Sequence, residues 1–384
     1  MSTDYIIFGS PLIGEDEIAA VTETLKTCWI GTGPRTHEFE SAVAQYVGAE
    51  LACAVGSCTA ALHLSMVASG VGTGHEVVTT PLTFCATSNS IIHTGAKPVF
   101  VDVERETMNI DPARLSDAVT DKTRAIMPVH FAGRPCDMDA IGAVADKHDL
   151  LVIEDAAHAL ESRYKGRRVG SISPLTCFSF YVTKNITTGE GGMVTTSDPK
   201  LAKIIRTAAL HGLSADAWER FGDKGYKHYE VVLPGYKYNL TDIASSLGLV
   251  QLAKIEGWLT RREEVWARYD EAFKGLPCFT PAAPEPETRH ARHLYTLMID
   301  IDQTPFSRNE FMTKMHKRGV GTGVHYRAVH LHPYYQQTFG YAPEDFPNAN
   351  WVSERTVSLP LSAKLTDEQV DRVIAAVTAT LNER

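Results

Sequence analysis

Short apolar runs recur through the first half of the chain, each closed by glycine, proline or a polar residue and followed by another element. Glu50–Val55 ends in Gly56-Ser57 and leads into Thr59–Ser69, which reads as a helix. Glu76–Thr80 precedes Pro81, and Lys97–Val103, Ala125–Val129, Leu150–Glu154 and Cys177–Phe180 repeat the strand signal. Within Asp137–His148, Met138, Ile141, Val144 and Ala145 fall at helical spacing. Continuous apolar strands separated by helices predict an α/β chain with a mainly parallel sheet covered on both faces. In such sheets ligands collect at the carboxyl ends of the strands.

The last third is punctuated differently. Pro277, Pro281, Pro284 and Pro286 predict a surface stretch leading into a smaller unit. There Ser307 and Glu310 match a capping box, with Gly319 where that helix should stop. Thr366 and Gln369 make a second box, followed by Val370, Val373, Ile374, Val377 and Leu381 on one helical face. The pattern predicts a large domain over 1–250 and a smaller C-terminal α+β domain over 251–384.

Composition narrows the function. The 384 residues are 44% apolar and 22% charged, ordinary for a globular protein with a sizeable core. A net charge of −9 argues against nucleic acid as a partner, and an anionic substrate would need local donors to hold it. No run is long enough to span a bilayer, and no basic-then-apolar leader is evident. The seven cysteines are scattered and never form C-x-x-C, which predicts reduced thiols and a cytoplasmic location.

Three segments carry candidate chemistry. In Leu150-Leu-Val-Ile-Glu-Asp155, an acid emerges at the end of a buried strand. Asp155 could simply cap a helix or bind magnesium, but the P-loop that usually accompanies the latter is absent. In Cys177–Met193, a strand runs into a polar loop with one lysine, Lys184, before Gly189, Gly191 and Gly192 turn the backbone and Met193–Thr196 resumes as a strand. Most lysines are solvated surface charges; one enclosed past a buried strand can lose its proton and form a Schiff base. In Ala54–Leu62, small and hydroxyl residues open a helix, and helix-opening N–H groups suit a phosphate as well as an ordinary cap. Together they fit pyridoxal 5'-phosphate (PLP), which needs a lysine, a phosphate cradle and a carboxylate against the pyridine nitrogen. Lys184, Asp155 and the set Ser57, Thr59, Ala60 and Ser179 would fill those roles. Phe84 would stack on the ring or else pack in the core.

The order G-S-x-T-A-A, E-D-A-A-H and F-S-F-x-x-x-K-N-x-T-T-G-E-G-G resembles the DegT-type sugar-nucleotide aminotransferases, PLP enzymes of fold type I. The likeness covers nearly the whole chain and extends to Trp29–Pro34, Pro234–Asn239 and Gly321–Tyr326. Through His211–Trp218 and Leu233–Asn239 it leans toward the UDP-4-amino-4-deoxy-L-arabinose–oxoglutarate aminotransferases. The Pro128–Ala159 stretch is similar to enzymes acting on UDP-linked 4-keto-6-deoxy hexosamines. The resemblance implies Lys184 as the covalent attachment and proton shuttle, Asp155 at the ring nitrogen and His158 beside the ring or its hydroxyl. It also implies Phe84 stacking, Thr59, Ala60 and Ser179 at the phosphate, and His325, Tyr326 and Thr32 on the substrate side. Asn239 would reach the phosphate of a neighbouring subunit, which implies a homodimer with shared sites. Tyr181 departs from the histidine that many relatives carry.

The expected reaction moves an amino group from L-glutamate, leaving 2-oxoglutarate, to the C4 ketone of a nucleotide-linked sugar. Two other classes compete: a PLP-dependent sugar dehydratase or lyase, which in some relatives replaces the lysine by histidine, and a non-catalytic regulator on the same fold. His325, His330 and His332 could offer metal ligands, but no carboxylate at suitable spacing completes a set, so polar contacts in a substrate loop are the simpler reading. Arg35, Arg327 and Lys237 are candidates for diphosphate contacts.

Overall fold

The computed structural model describes residues 5–214 and 229–383. Of the segment His211–Trp218, the positions from Ala215 onward lie outside the described residues.

Helices α1 (Glu15–Lys26) and α2 (Pro34–Val47) precede strand β1 (Leu51–Val55), helix α3 (Cys58–Ala68) and strand β2 (Glu76–Thr79). Then come α4 (Cys85–His93), β3 (Lys97–Phe100), β4 (Thr123–Met127), α5 (Met138–His148) and β5 (Leu151–Asp155). A two-stranded ribbon, β6 (Arg163–Tyr164) and β7 (Arg167–Arg168), leads to β8 (Leu175–Ser179), β9 (Gly192–Thr196) and α6 (Pro199–Ala209). Seven strands form one sheet in the order β1-β9-β8-β5-β4-β2-β3. All its pairings are parallel except those of β9, which runs against β1 and β8. The sheet is α/β and mainly parallel, as the apolar runs predict.

Alternate strand residues face opposite layers, and both layers are apolar. Cys53, Val55, Val77, Met127, Ile153 and Cys177 meet α3 and α6 on one face. On the other, Ala52, Ala54 and Phe178 meet α2, while Val78, Ile126 and Val152 meet α5. This double burial is why the strands read as unbroken apolar runs rather than as a polar–apolar alternation.

Helix α7 (Asp242–Ala272) is unbroken across position 250 and serves two cores. Leu252 and Ile255 pack with α2 and Phe180, whereas Val265, Trp266, Tyr269 and Phe273 enter the second core. That second core lies on the antiparallel sheet β10 (Cys278–Phe279), β11 (Tyr295–Ile299) and β12 (Thr356–Leu359). Around it lie α8 (Arg308–Lys317) and α11 (Asp367–Leu381), while α9 (Pro333–Phe339) and α10 (Pro347–Arg355) pack in a further core with Leu82, Phe100 and Phe131. Both capping boxes form, at Ser307/Glu310 and Thr366/Gln369, and Gly319 follows α8 with φ +76°. Ile6, from the start of the chain, bridges to Val320 and packs in this second core, not with the large sheet.

Candidate active site

Three consequences of the topology converge at the carboxyl edge of the sheet. Asp155 is the last residue of β5 and pairs with Cys177 of the parallel β8. β8 ends at Ser179, and the loop before β9 carries Lys184. β1 ends just before Ser57, which opens α3 and caps it by accepting the Ala60 N–H at 3.1 Å. A cavity of about 470 Å³ lies among them. Ser57, Thr59, Phe84, Asp155, His158, Ser179, Lys184, His325 and Tyr326 all border it.

The Lys184 loop is folded by its own threonines and glycines. Thr187 Oγ1 donates to the Phe180 carbonyl at 3.1 Å, and Thr188 Oγ1 to the Glu190 carbonyl at 2.7 Å. Gly189 takes φ +81°, a left-handed turn that glycine makes without a Cβ penalty. At Gly192 a Cβ would come within 2.5 Å of the Ser57 carbonyl carbon, so only glycine lets β9 lie this close to the start of α3.

Burial dominates the electrostatics. It pulls the Lys184 ammonium down to about 8 from an ordinary 10.5, with Cys58 and Asp155 opposing the shift. It pushes Asp155 up, while the Thr87 hydroxyl, the Ala157 N–H and the charge of Lys184 pull the other way. Thr87 Oγ1 donates to Asp155 Oδ2 at 2.7 Å, and the Ala157 N–H donates to Oδ1 at 3.1 Å. His158 is held well below its usual range by burial, then by Lys184 and two further histidines. Its Nε2 lies 3.1 Å from the Tyr326 hydroxyl, while its Nδ1 is buried without a hydrogen-bond partner among the described residues. Burial lowers His325 to about 4, and its Nδ1 lies 2.8 Å from Ser358 Oγ.

Not every residue singled out from the sequence reaches the cavity. The Ala60 side chain is buried in the core beneath it. Asn239 and Thr32 form a pair of their own, with Asn239 Nδ2 donating to Thr32 Oγ1 at 2.7 Å, and neither borders the Lys184 cavity. His325, His330 and His332 have separate surroundings: His330 packs on Phe346, and His332 stands at the start of α9. Among the described residues no group of three or more His, Cys, Asp or Glu is placed to hold a metal. Arg35 pairs with Glu38 and Lys237 with Asn239, whereas Arg327 lines a groove adjoining the cavity.

Two site residues escaped the sequence reading. Thr87 stands one helical turn after Phe84 on α4, so the i,i+3 spacing carried a signal. His293, whose ring centroid is 4.5 Å from that of His158, comes from the approach to β11 and left no local sign.

The donor set suits a flat, phosphorylated aldehyde. It offers a depressed amine, a buried carboxylate held by two donors, hydroxyls at a helix start, an unpartnered imidazole nitrogen and an exposed Phe84 ring (57%) at the mouth. The model of the DegT/DnrJ/EryC1/StrS aminotransferase family matches residues 11–378. The chain belongs to that family. SpsC of Bacillus subtilis, a spore coat polysaccharide biosynthesis protein, is 50% identical over 374 residues, 97% of this chain and 96% of SpsC. Among solved structures, Spr1654 of Streptococcus pneumoniae in its PMP form superposes with a TM-score of 0.91 at 36% identity. Each chain is covered to 98%. Helicobacter pylori PseC, an aminotransferase involved in pseudoaminic acid biosynthesis, gives 0.91 at 31%, with 98% of this chain and 99% of PseC covered. Spr1654 is also known in a PLP form. The chain is therefore an aminotransferase, of a family that works through pyridoxal phosphate.

Proposed function

We propose that this aminotransferase moves the amino group of L-glutamate to the C4 ketone of a nucleotide-linked sugar, a UDP-4-keto-pentose or a UDP-4-keto-6-deoxy-hexosamine. The observation that carries the reading is a lysine with a depressed pKa facing the same cavity as a buried, doubly hydrogen-bonded aspartate. Support for a large anionic acceptor comes from the adjoining groove of about 690 Å³, which shares Thr83, Phe84 and Tyr326 with the cavity. Arg327, His93 and His332 line it together with Tyr334 and Tyr335, and no acidic residue is among its described lining. In a chain of net charge −9, a groove with a cation and no acid in its described lining offers an anionic substrate the local donor it needs. The roles named for SpsC, in spore coat polysaccharide biosynthesis, and for PseC, in pseudoaminic acid biosynthesis, support a sugar as the amine acceptor.

When bound, pyridoxal phosphate supplies an aldehyde that condenses with amines and a ring that draws electrons from the substrate's α-carbon. Lys184 Nζ would anchor it and, once displaced, take the proton that leaves the α-carbon and deliver it to the carbon that had been the cofactor's aldehyde. Its lowered pKa keeps a neutral fraction available near neutrality for both tasks. Asp155, kept aimed by Thr87 and Ala157, would hold a proton on the ring nitrogen. Ser57, Thr59 and Ser179 would receive the phosphate, and Phe84 and His158 would flank the ring. Asn239 lies outside its own Lys184 cavity, which supports a role across a homodimer interface. We place the protein in the cytoplasm, where its scattered cysteines would stay as free thiols. Among the described residues no helix is long and apolar enough to cross a membrane.

The test is a panel of UDP- and TDP-linked 4-keto sugars with glutamate as donor. Formation of a 4-amino sugar with stoichiometric 2-oxoglutarate is the expected result. Lys184→Ala should lose turnover by about 10²–10⁴-fold, the scale of positioned proton transfer. A deoxygenated sugar without amine transfer would favour the dehydratase reading, against which Lys184 itself argues.

A further inference from the structure

Beside Lys184 lies a buried polar chain that the reaction above does not use. Asn185 follows the lysine directly. Its Nδ2 donates to Glu161 Oε2 at 2.7 Å and to the Ala291 carbonyl at 3.3 Å. Glu161 is completely buried and paired with Arg262 of α7. With both acceptors on one side, the Asn185 amide can be oriented only one way, so its Oδ1 faces His293 Nδ1 at 2.7 Å as an acceptor. His293 must then carry its hydrogen on Nδ1, leaving Nε2 as a lone pair. The ring is buried, and burial keeps it neutral.

Through His158 this chain also reaches the main cavity. The ring centroids of His293 and His158 are 4.5 Å apart, and His158 borders the main cavity. A second cavity of about 50 Å³, bordered by Lys184, Asn185, Arg262 and His293, lies against this chain. Arg262 Nε is buried there without a hydrogen-bond partner among the described residues. A space of that size with several polar walls suits an ordered water.

We propose that the Glu161–Asn185–His293 chain positions Lys184, clamping the neighbouring residue and fixing the His293 tautomer so that a lone pair, directly or through one water, faces the cavity shared with the lysine. His293 and Asn185 act through Lys184 and are positioning residues. The inference rests on Lys184 being the cofactor lysine.

His293→Phe keeps a ring against His158 but removes both nitrogens; Asn185→Leu removes the amide at similar volume. Each variant is loaded with PLP, and the absorbance of the bound cofactor is titrated with pH. The expected result is a midpoint displaced by about half a pH unit or more. The kcat should fall by about tenfold to a hundredfold, as for a slightly misplaced reacting group, with glutamate KM little changed. A loaded variant with an unaltered titration curve and kcat overturns the proposal, whatever its thermal stability. Should neither variant fold, long-range ¹⁵N–¹H NMR of the wild-type apoprotein decides: hydrogen on His293 Nδ1 is required, and hydrogen on Nε2 overturns it. Failure of the wild type to take up PLP would count against the cofactor reading instead, leaving the tautomer result standing.

Discussion

Lys184 and Asp155 make opposite demands on one buried site, since burial disfavours the charged form of each. The lysine needs part of that shift, because only its neutral amine attacks an aldehyde. With the amine titrating near 8, PLP capture should slow about tenfold per pH unit below that value and level off above it. Stopped-flow capture rates measure this; a rise continuing past pH 10 would mean an unperturbed lysine. The aspartate needs its charge kept, and Thr87 helps keep it. Thr87→Val should cost about 1.5–3 kcal/mol of charge-assisted bonding to Asp155, read as a lower kcat with the chain still folded. Both central residues were legible because each follows an apolar run, and the end of such a strand is where a sheet opens. Thr87 and His293 were harder, because one side chain's bond to a distant carboxylate and one long-range ring contact leave no local pattern.

At the level of elements, the apolar runs announced six strands of the large sheet within a few residues, and capping chemistry announced α8 and α11. The reversal of β9 was not announced: a strand buried on both faces reads alike in either direction, and the return hinges on the glycines between Gly189 and Gly192. Gly192→Ala should push β9 away from Ser57, costing about 1–3 kcal/mol as overpacking does, with weaker PLP retention. Gly142 is the control. It lies inside α5 with open space around it, so Gly142→Ala should stabilise by about 0.5–1 kcal/mol. Thermal melts and PLP titration of both variants separate local crowding from a general intolerance of alanine. The division near position 250 falls within α7, and we propose that this helix, shared by both cores, fixes the smaller unit against the larger one.

For the whole molecule, Ile18, Leu25, Trp29 and Ile30 are exposed along α1 and the segment after it. Together with the position of Asn239 they support a symmetric dimer with shared sites. Mixing Lys184→Ala with Asn239→Ala protein should restore about a quarter of wild-type activity if two-fold dimers exchange at random. Activity equal to the sum of the separate variants would instead mean self-contained subunits. The most direct measurement of the central claim is borohydride reduction of the PLP-loaded protein, followed by mass spectrometry of its peptides. Cofactor fixed on Lys184, and absent from the Lys184→Ala protein, is the predicted result; no fixed cofactor, or cofactor on another lysine, would contradict it.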